Sequence, residues 1–104
     1  MAAYLIAFIG GGSPETEEEG QAVAAAWGAW FEGLGEVVID GGNPFGPSMS
    51  VATDGTMSDG GSSKLGGYSI FRAGNLAAAS ELVKDCPQLK SGGTVEAYEL
   101  IPMD

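Results

Sequence analysis

The chain has 104 residues, a length that suits one domain with one hydrophobic core, so residues 1–104 are treated as a single domain. Fourteen acidic residues against four basic ones, with no histidine, give a formal net charge of −10. Such a surface repels phosphate backbones and anionic lipids, so we expect neither nucleic acid nor a membrane as a partner. Without histidine, a histidine-ligated haem and an all-histidine metal site are excluded, and no cofactor is expected.

The single cysteine, Cys86, cannot form an internal disulfide, which fits a reducing compartment. The first residues, MAAYLIAFIGGG, lack the basic region of a signal peptide. No apolar run approaches the roughly 20 residues that a membrane helix needs. We therefore expect a cytoplasmic protein.

The first half of the chain predicts a strand, a long helix and a second strand. Tyr4–Ile9 is a short apolar run bounded by glycine, typical of a buried strand. Ser13 as N-cap and proline next to it predict a helix from about Pro14 to Leu34, which Gly35 ends. Val37–Ile39 is predicted as the second strand. One face of the helix, interpreted as core, carries Val23, Trp27, Trp30, Phe31 and Leu34.

The middle of the chain is rich in turn-forming residues. Prolines and glycines in residues 41–47 predict a loop. Met49–Thr53 is predicted as a short strand that returns through a tight turn at Asp54-Gly55 to Met57.

The last part predicts a strand, a helix and a strand. Gly67–Phe71 is the next core strand, and Asn75 caps a second helix that Pro87 ends. Thr94–Ile101 is the last strand. The resulting order, β-α-β-(β hairpin)-β-α-β, predicts an α+β, ferredoxin-like fold with an antiparallel sheet and two helices on one face.

Two of the predicted strands are apolar on both alternating faces, namely Tyr4–Ile9 and Val37–Ile39. Two helices cover only one face of such a sheet, and a half-exposed antiparallel strand would alternate apolar and polar residues. An exposed apolar face marks an interface, and a second copy of the chain is its simplest cover. We therefore expect a homodimer that forms through the open sheet face.

Neither of two glycine-rich stretches is interpreted as a nucleotide site. Gly10–Gly12 lies where a dinucleotide-binding loop would lie, but Glu15 stands at its third glycine, and Glu17–Glu19 would repel a pyrophosphate. Gly55–Ser62 matches a phosphate-binding loop except at the lysine, where Gly61 stands.

The segment SDGGSSKLGGYSI, residues 58–70, resembles the signature of the YCII-related proteins, in particular their DGPF branch. That branch has Asp-Gly-Pro-Phe, a few polar residues and then a Gly-Gly-Tyr strand. Asn75–Lys84, Cys86-Pro87 and the closing strand Thr94–Glu99 fit the same family, so the resemblance covers nearly the whole chain. Gly61 and Ser62 stand where the branch has proline and phenylalanine.

The resemblance implies a dimeric α/β barrel, in which two ferredoxin-like protomers pack sheet to sheet. Some YCII-related proteins work through a histidine and an aspartate in a pocket beside the sheet. Asp59 stands at the aspartate of the motif, but this chain has no histidine, so that pair cannot form. Related barrels include monooxygenases, isomerases, dehalogenating lyases and haem enzymes, so the fold alone assigns no function.

Asp59 is the first candidate catalytic residue, and its alternative is a turn residue that bonds its own loop. Glu96 is a weaker candidate, predicted to lie on the opposite face of the last strand from Glu99. Burial of such a carboxylate in a cavity would raise its pKa and make it a usable base. Candidate ligand contacts, each with an ordinary turn or core role as its alternative, are Asn43, Ser58 and Tyr68.

Two hypotheses about function stay open. In the first, the protein binds a small molecule between the sheet, a helix and the loops of residues 43–66, without catalysis. In the second, it is a cofactor-free lyase or isomerase with Asp59 or a buried glutamate as the proton-transfer base. A hard-cation site at Asp54 and Asp59 is weaker, because Asp-x-Asp spacing is absent.

Overall fold

Four antiparallel strands in the order β2-β5-β1-β6 form the main sheet of the computed structural model, which describes residues 2–61 and 63–103. Strand β5 lies between β1 and β2, which gives the split β-α-β arrangement of ferredoxin-like folds. The predicted α+β, ferredoxin-like class is confirmed. In chain order the elements are β1 (Ala2–Ile9), α1 (Glu17–Leu34), β2 (Val38–Asp40), β3 (Met49–Val51), β4 (Met57–Asp59), β5 (Leu65–Ala73), α2 (Leu76–Leu82), α3 (Pro87–Lys90) and β6 (Thr94–Glu99).

Helix α1 begins later than its sequence predicts, because Thr16 rather than Ser13 caps it. The Thr16 side chain accepts a hydrogen bond from the Glu19 N–H at 3.0 Å, and the Glu19 carboxylate accepts one from the Glu15 N–H at 3.0 Å. The Thr16 hydroxyl thus satisfies one N–H of the first helical turn, and the Glu19 carboxylate bonds back to the residue before the cap, close to the pattern of a capping box. The predicted end at Gly35 is confirmed, with a φ of 61° and an N–H that donates to the Phe31 carbonyl. No helix in the described ranges is long and apolar enough to cross a membrane.

Other boundaries differ by a few residues. A short 3-10 turn at Gly35–Val37 delays β2, so the predicted strand Val37–Ile39 is replaced by Val38–Asp40. The prediction that Pro87 ends the second helix is wrong: α2 ends at Leu82, and Pro87 begins α3. Proline suits the first turn of a helix because its missing N–H would have no partner there.

The predicted hairpin is confirmed as a separate two-stranded sheet of β3 and β4. At its turn, the Thr56 N–H donates to the Asp54 carboxylate at 2.9 Å. Hydrogen bonds from the Thr56 side chain and backbone hold the pKa of Asp54 below its ordinary value. Ser62, which stands at the phenylalanine of the family signature, lies outside the described residues.

The core lies between the main sheet and the helices. Tyr4 pairs with Phe71 across β1 and β5, and alternate residues of β1 point to the same side. Aromatic residues of α1 pack on this side, as their helical spacing predicts. The buried cluster consists of Tyr4, Ile6, Phe8, Phe71, Ala73, Ala79, Val83 and Cys86.

The other side of the sheet carries Leu5, Ile70 and Tyr98, which are neighbours across three strands. Leu5 and Ile70 are only partly buried, and Tyr98 and Leu65 are 50% and 45% exposed. Both helices that contribute to the core pack on the opposite side. The chain extends 45 × 44 × 18 Å, and the short dimension fits one sheet and one helix layer. One sheet face is therefore left open, as expected for a sheet that has apolar residues on both faces and helices for only one of them.

Burial raises the pKa of the Cys86 thiol from 9.0 to about 11, and the charge of Asp85 adds to the shift. The unfolded chain would lose this proton above pH 9, whereas the folded chain keeps it to about pH 11. The free energy of unfolding should therefore fall across this window, by at most about 1.4 kcal/mol per pH unit. Urea unfolding of the wild type and Cys86→Ala at several pH values measures this. The variant should show a shallower fall, and equal slopes would contradict the assignment.

Candidate functional site

A cleft of about 470 Å³ lies between α1, the helix-covered side of the sheet and the chain that follows β2. Phe8, Trp27 and Phe31 form its aromatic wall, and residues 41–44 and 66–69 form the opposite wall. Gln88 of α3 completes the lining. This volume falls within the roughly 300–1,000 Å³ of typical small-molecule pockets.

The aromatic wall is rigid because its rings pack on one another. The Phe8 and Trp27 rings meet edge to face at 5.0 Å between centroids, and Trp27 and Phe31 stack at 6.0 Å. Trp30 continues the cluster towards Phe71, at 5.8 Å. The interpretation of Trp27 as core is confirmed by these contacts, and the residue also lines the cleft.

The opposite wall is a segment of backbone that runs along the edge of β5. The buried Ser69 hydroxyl donates to the Gly41 carbonyl at 2.7 Å, and the Tyr68 N–H donates to the Asn43 carbonyl at 3.3 Å. Gly42 has a φ of +75°, and a Cβ there would overlap the Tyr68 carbonyl. At Gly67, a Cβ would lie 3.0 Å from the Asn43 carbonyl oxygen. Glycine therefore allows this wall to approach the sheet closely.

Gln88 is the polar side chain that the structure holds most firmly at the cleft. Its Nε2 donates to the carbonyl oxygens of Ile9 at 3.0 Å and Gly10 at 2.9 Å. These bonds use both amide hydrogens, so the carbonyl oxygen of the side chain is left as an acceptor. The bonds also fix α3 to the end of β1, 78 and 79 residues away in sequence.

The residues that line the cleft include no charged side chain, although the chain has a net charge of −10. An anionic ligand would find no cation there, and the surrounding acidic surface would repel it. The walls offer aromatic faces, backbone and the amides of Asn43 and Gln88. Such a site favours an uncharged ring with a few polar substituents.

Of the predicted ligand contacts, Asn43 and Tyr68 lie at the cleft. Tyr68 pairs with Ala7, and both alternate with residues that point towards the helices. The Tyr68 ring therefore lies on the open side of the sheet, and its backbone lines the cleft. There its hydroxyl donates to the Asp40 carboxylate at 3.3 Å, and its ring stacks on Phe45.

Asp59 and Ser58 lie elsewhere, in strand β4 of the hairpin. Both side chains are exposed, and neither residue lines the cleft. Within one chain, the family-signature aspartate is therefore separated from the pocket. The catalytic assignment of Asp59 stays a prediction.

Glu96 and Glu99 lie on opposite faces of β6, as predicted: Glu96 pairs with Ala7 and Glu99 with Tyr4. Both are exposed, and neither lines the cleft. Glu96 accepts a hydrogen bond from the Tyr98 hydroxyl, and this bond raises the pKa of Tyr98. Among the described residues, no group of three or more acidic or cysteine side chains is arranged to hold a metal ion.

Sequence reasoning missed Phe8, Phe31 and Gln88 as cleft residues. The spacing of Trp27 and Phe31, one helical turn apart on α1, could have indicated an aromatic wall. The same spacing is typical of any helix that faces a core, so it does not identify a cleft. Nothing local marks Gln88, because its role depends on a contact with the far end of the chain.

Comparison with known proteins identifies the family of this chain and a solved structure with a similar fold. A family model described as YCII-related domain matches residues 5–104, so the chain belongs to the YCII-related family. One similar solved structure is the 5-chloro-2-hydroxyhydroquinone dehydrochlorinase TftG from Burkholderia phenoliruptrix AC1100, in complex with 2,5-dihydroxybenzoquinone. The two chains are 21% identical, with a TM-score of 0.50 over 90% of each. This similarity supports the fold. A search of curated proteins found no match.

The close approach at Gly42 generates a stability prediction. Gly42→Ala should lower the free energy of unfolding by about 3 kcal/mol, from backbone strain and overlap with the Tyr68 carbonyl. Gly46→Ala is the control, because a Cβ there meets nothing within 4 Å and φ is ordinary. The control should change stability by less than about 1 kcal/mol. Equal effects in urea unfolding would contradict the role of Gly42.

Proposed function

We propose that this protein binds a small, uncharged, planar aromatic molecule in the cleft between α1 and β5. The observation that carries the proposal is an aromatic wall facing a glycine-rich backbone wall, with no charged side chain between them. Stacking and edge contacts with Trp27 and Phe31 would hold the ring, and the Gln88 carbonyl would accept a hydrogen bond from a hydroxyl substituent.

The size of the cleft supports a ligand of one or two rings. TftG is described in complex with 2,5-dihydroxybenzoquinone, a single planar ring. We propose a ligand of similar size for this chain because its own cleft has aromatic and backbone walls and no charged side chain. Because no carboxylate lines it, the proposal is for binding, and it includes no acid–base step.

The test uses 2-naphthol and the anion 2-naphthoate, which match in ring system and differ in charge. Naphthol should shift the amide NMR signals of Gly41, Gly42 and Gly67 and the indole N–H signal of Trp27. Naphthoate should bind at least about tenfold more weakly, because the site has no cation to offset its desolvation. Equal binding of the two probes, or shifts confined to other surfaces, would refute the proposal.

A matched pair of variants checks the location. A Cβ at Gly41 or at Gly46 meets nothing within 4 Å, but only Gly41 lines the cleft. Gly41→Leu should abolish the naphthol-induced shifts, and Gly46→Leu should preserve them. Retention of binding in Gly41→Leu would place the ligand elsewhere.

We also propose that the open sheet face pairs with that of a second copy. A 10.5 kDa monomer is expected to expose about 5,400 Å², whereas this chain exposes 7222 Å². Its radius of gyration is 15.2 Å, against about 13 Å for a compact domain of this length. The excess of about 1,800 Å² is comparable to what each protomer of an obligate dimer buries.

Two carboxylates of this face already have hydrogen-bond partners within the chain, whereas Arg72, two residues from Ile70 on the same face, is exposed. The two carboxylates, Asp40 and Glu96, each accept a hydrogen bond from a tyrosine hydroxyl of the same face, from Tyr68 and Tyr98 respectively. Carboxylates that already have partners are less costly to bury than isolated ones. In the sheet-to-sheet dimer that the resemblance to YCII-related proteins implies, these two hydrogen-bonded pairs would lie in the interface.

Ile70→Glu tests the interface, because Ile70 lies beside Leu5 on the open face. An unpaired charge at each of two symmetric positions should raise the dimer dissociation constant at least about a hundredfold. Ala77→Glu, on the exposed surface of α2, adds the same charge away from this face. Light scattering should give a dimer for the wild type and control and a monomer for Ile70→Glu. A monomeric wild type at micromolar concentration would refute the proposal.

A further inference from the structure

We propose that the β3–β4 hairpin is an intersubunit arm, which packs its apolar side against a second copy of this chain. The inference adds a contact to the sheet-face dimer proposed above, on which it rests. It starts from the exposure of three large side chains. Met49 and Met57 are 67% exposed, and Val51 is 65% exposed.

The three exposed residues share one side of the hairpin. Val51 pairs with Met57, and Met49 pairs with Asp59 two residues further along each strand, so all four point the same way. The intervening pair, Ser50 and Ser58, points to the other side. One side of the hairpin, called its apolar side here, therefore carries three apolar residues with Asp59 at its end, and the other side carries two hydroxyl residues. Such a division is the pattern of a strand pair with one face covered.

Nothing in its own chain provides that cover among the described residues, because β3 and β4 are exposed along their full length. The hairpin is closed by backbone bonds, from the Ala52 N–H to the Thr56 carbonyl at 2.8 Å and from the Gly60 N–H to the Ser48 carbonyl at 3.1 Å. An isolated two-stranded hairpin is marginally stable at best in water. A further packing surface would stabilise it.

A second copy is the occupant that fits best. The arm leaves the body just after Phe45, whose ring stacks on Tyr68 at the open face, so its base adjoins the surface that the second copy would cover. A twofold axis would supply two arms and two receiving surfaces at once. The arm's apolar side contributes to the excess surface that one partner copy would account for.

The test uses two aspartate variants on the same strand. Val51→Asp places a charge on the apolar side, and Ser50→Asp places it on the hydroxyl side, with the same change in net charge. Sedimentation equilibrium should show that Val51→Asp raises the dimer dissociation constant at least about tenfold. Ser50→Asp should change it less than about twofold. Equal effects, or no effect of Val51→Asp, would overturn the proposal.

Hydrogen exchange gives an independent reading that does not depend on these variants. The amides of residues 49–59 should exchange at least about tenfold faster in monomeric Ile70→Glu than in the wild-type dimer, because the arm loses its cover. Unchanged exchange would overturn the arm contact. If the wild type is dimeric and Ile70→Glu dissociates it while Val51→Asp does not, the arm proposal fails and the sheet-face proposal stands. A monomeric wild type refutes both.

Discussion

The structure depends on one strand, β1, which lies inside the sheet and is apolar on both faces. Tyr4, Ile6 and Phe8 point towards the helices, and Leu5 and Ala7 point the other way. Burying apolar surface stabilises a protein by about 25 cal/mol per Å². A strand that is apolar on both faces is therefore most stable when both faces are buried. The chain supplies helices for one face only. The covered face therefore builds the core and the cleft, and the open face and the hairpin both contribute to the large exposed area of the chain.

The cleft exists because the helix-covered side is not filled completely. Trp27 and Phe31 of α1 line one wall, and the glycines at 42 and 67 let the chain after β2 pass close to β5. The space between is walled by rings and backbone. In a chain this acidic, a pocket that no charged side chain lines would disfavour anions.

The order of elements, the hairpin turn and the open face could be predicted because local patterns determine them: apolar runs, the Asp54-Gly55 turn and a double-faced strand. Helix ends were less predictable, because Thr16 and Ser13 are both good caps, and it is Thr16 that accepts a hydrogen bond from the Glu19 N–H. The site was least predictable, because Gln88 reaches it through bonds to the far end of β1. Asn43, predicted as a ligand contact from its position in the loop, lies at the cleft. Asp59, predicted from the family signature, lies on the hairpin instead.

Membership of the YCII-related family and the local geometry thus agree on the architecture. The central claim is that one face of the sheet binds a ring beneath α1 and the other binds a second copy. The most direct test is a crystal structure of the protein purified without added ligand. The account predicts a partner molecule over Leu5 and Ile70, and an open cleft beside Trp27 that holds solvent or a ring-shaped ligand. A single chain with solvent over that face, or a cleft closed by Trp27, would contradict it.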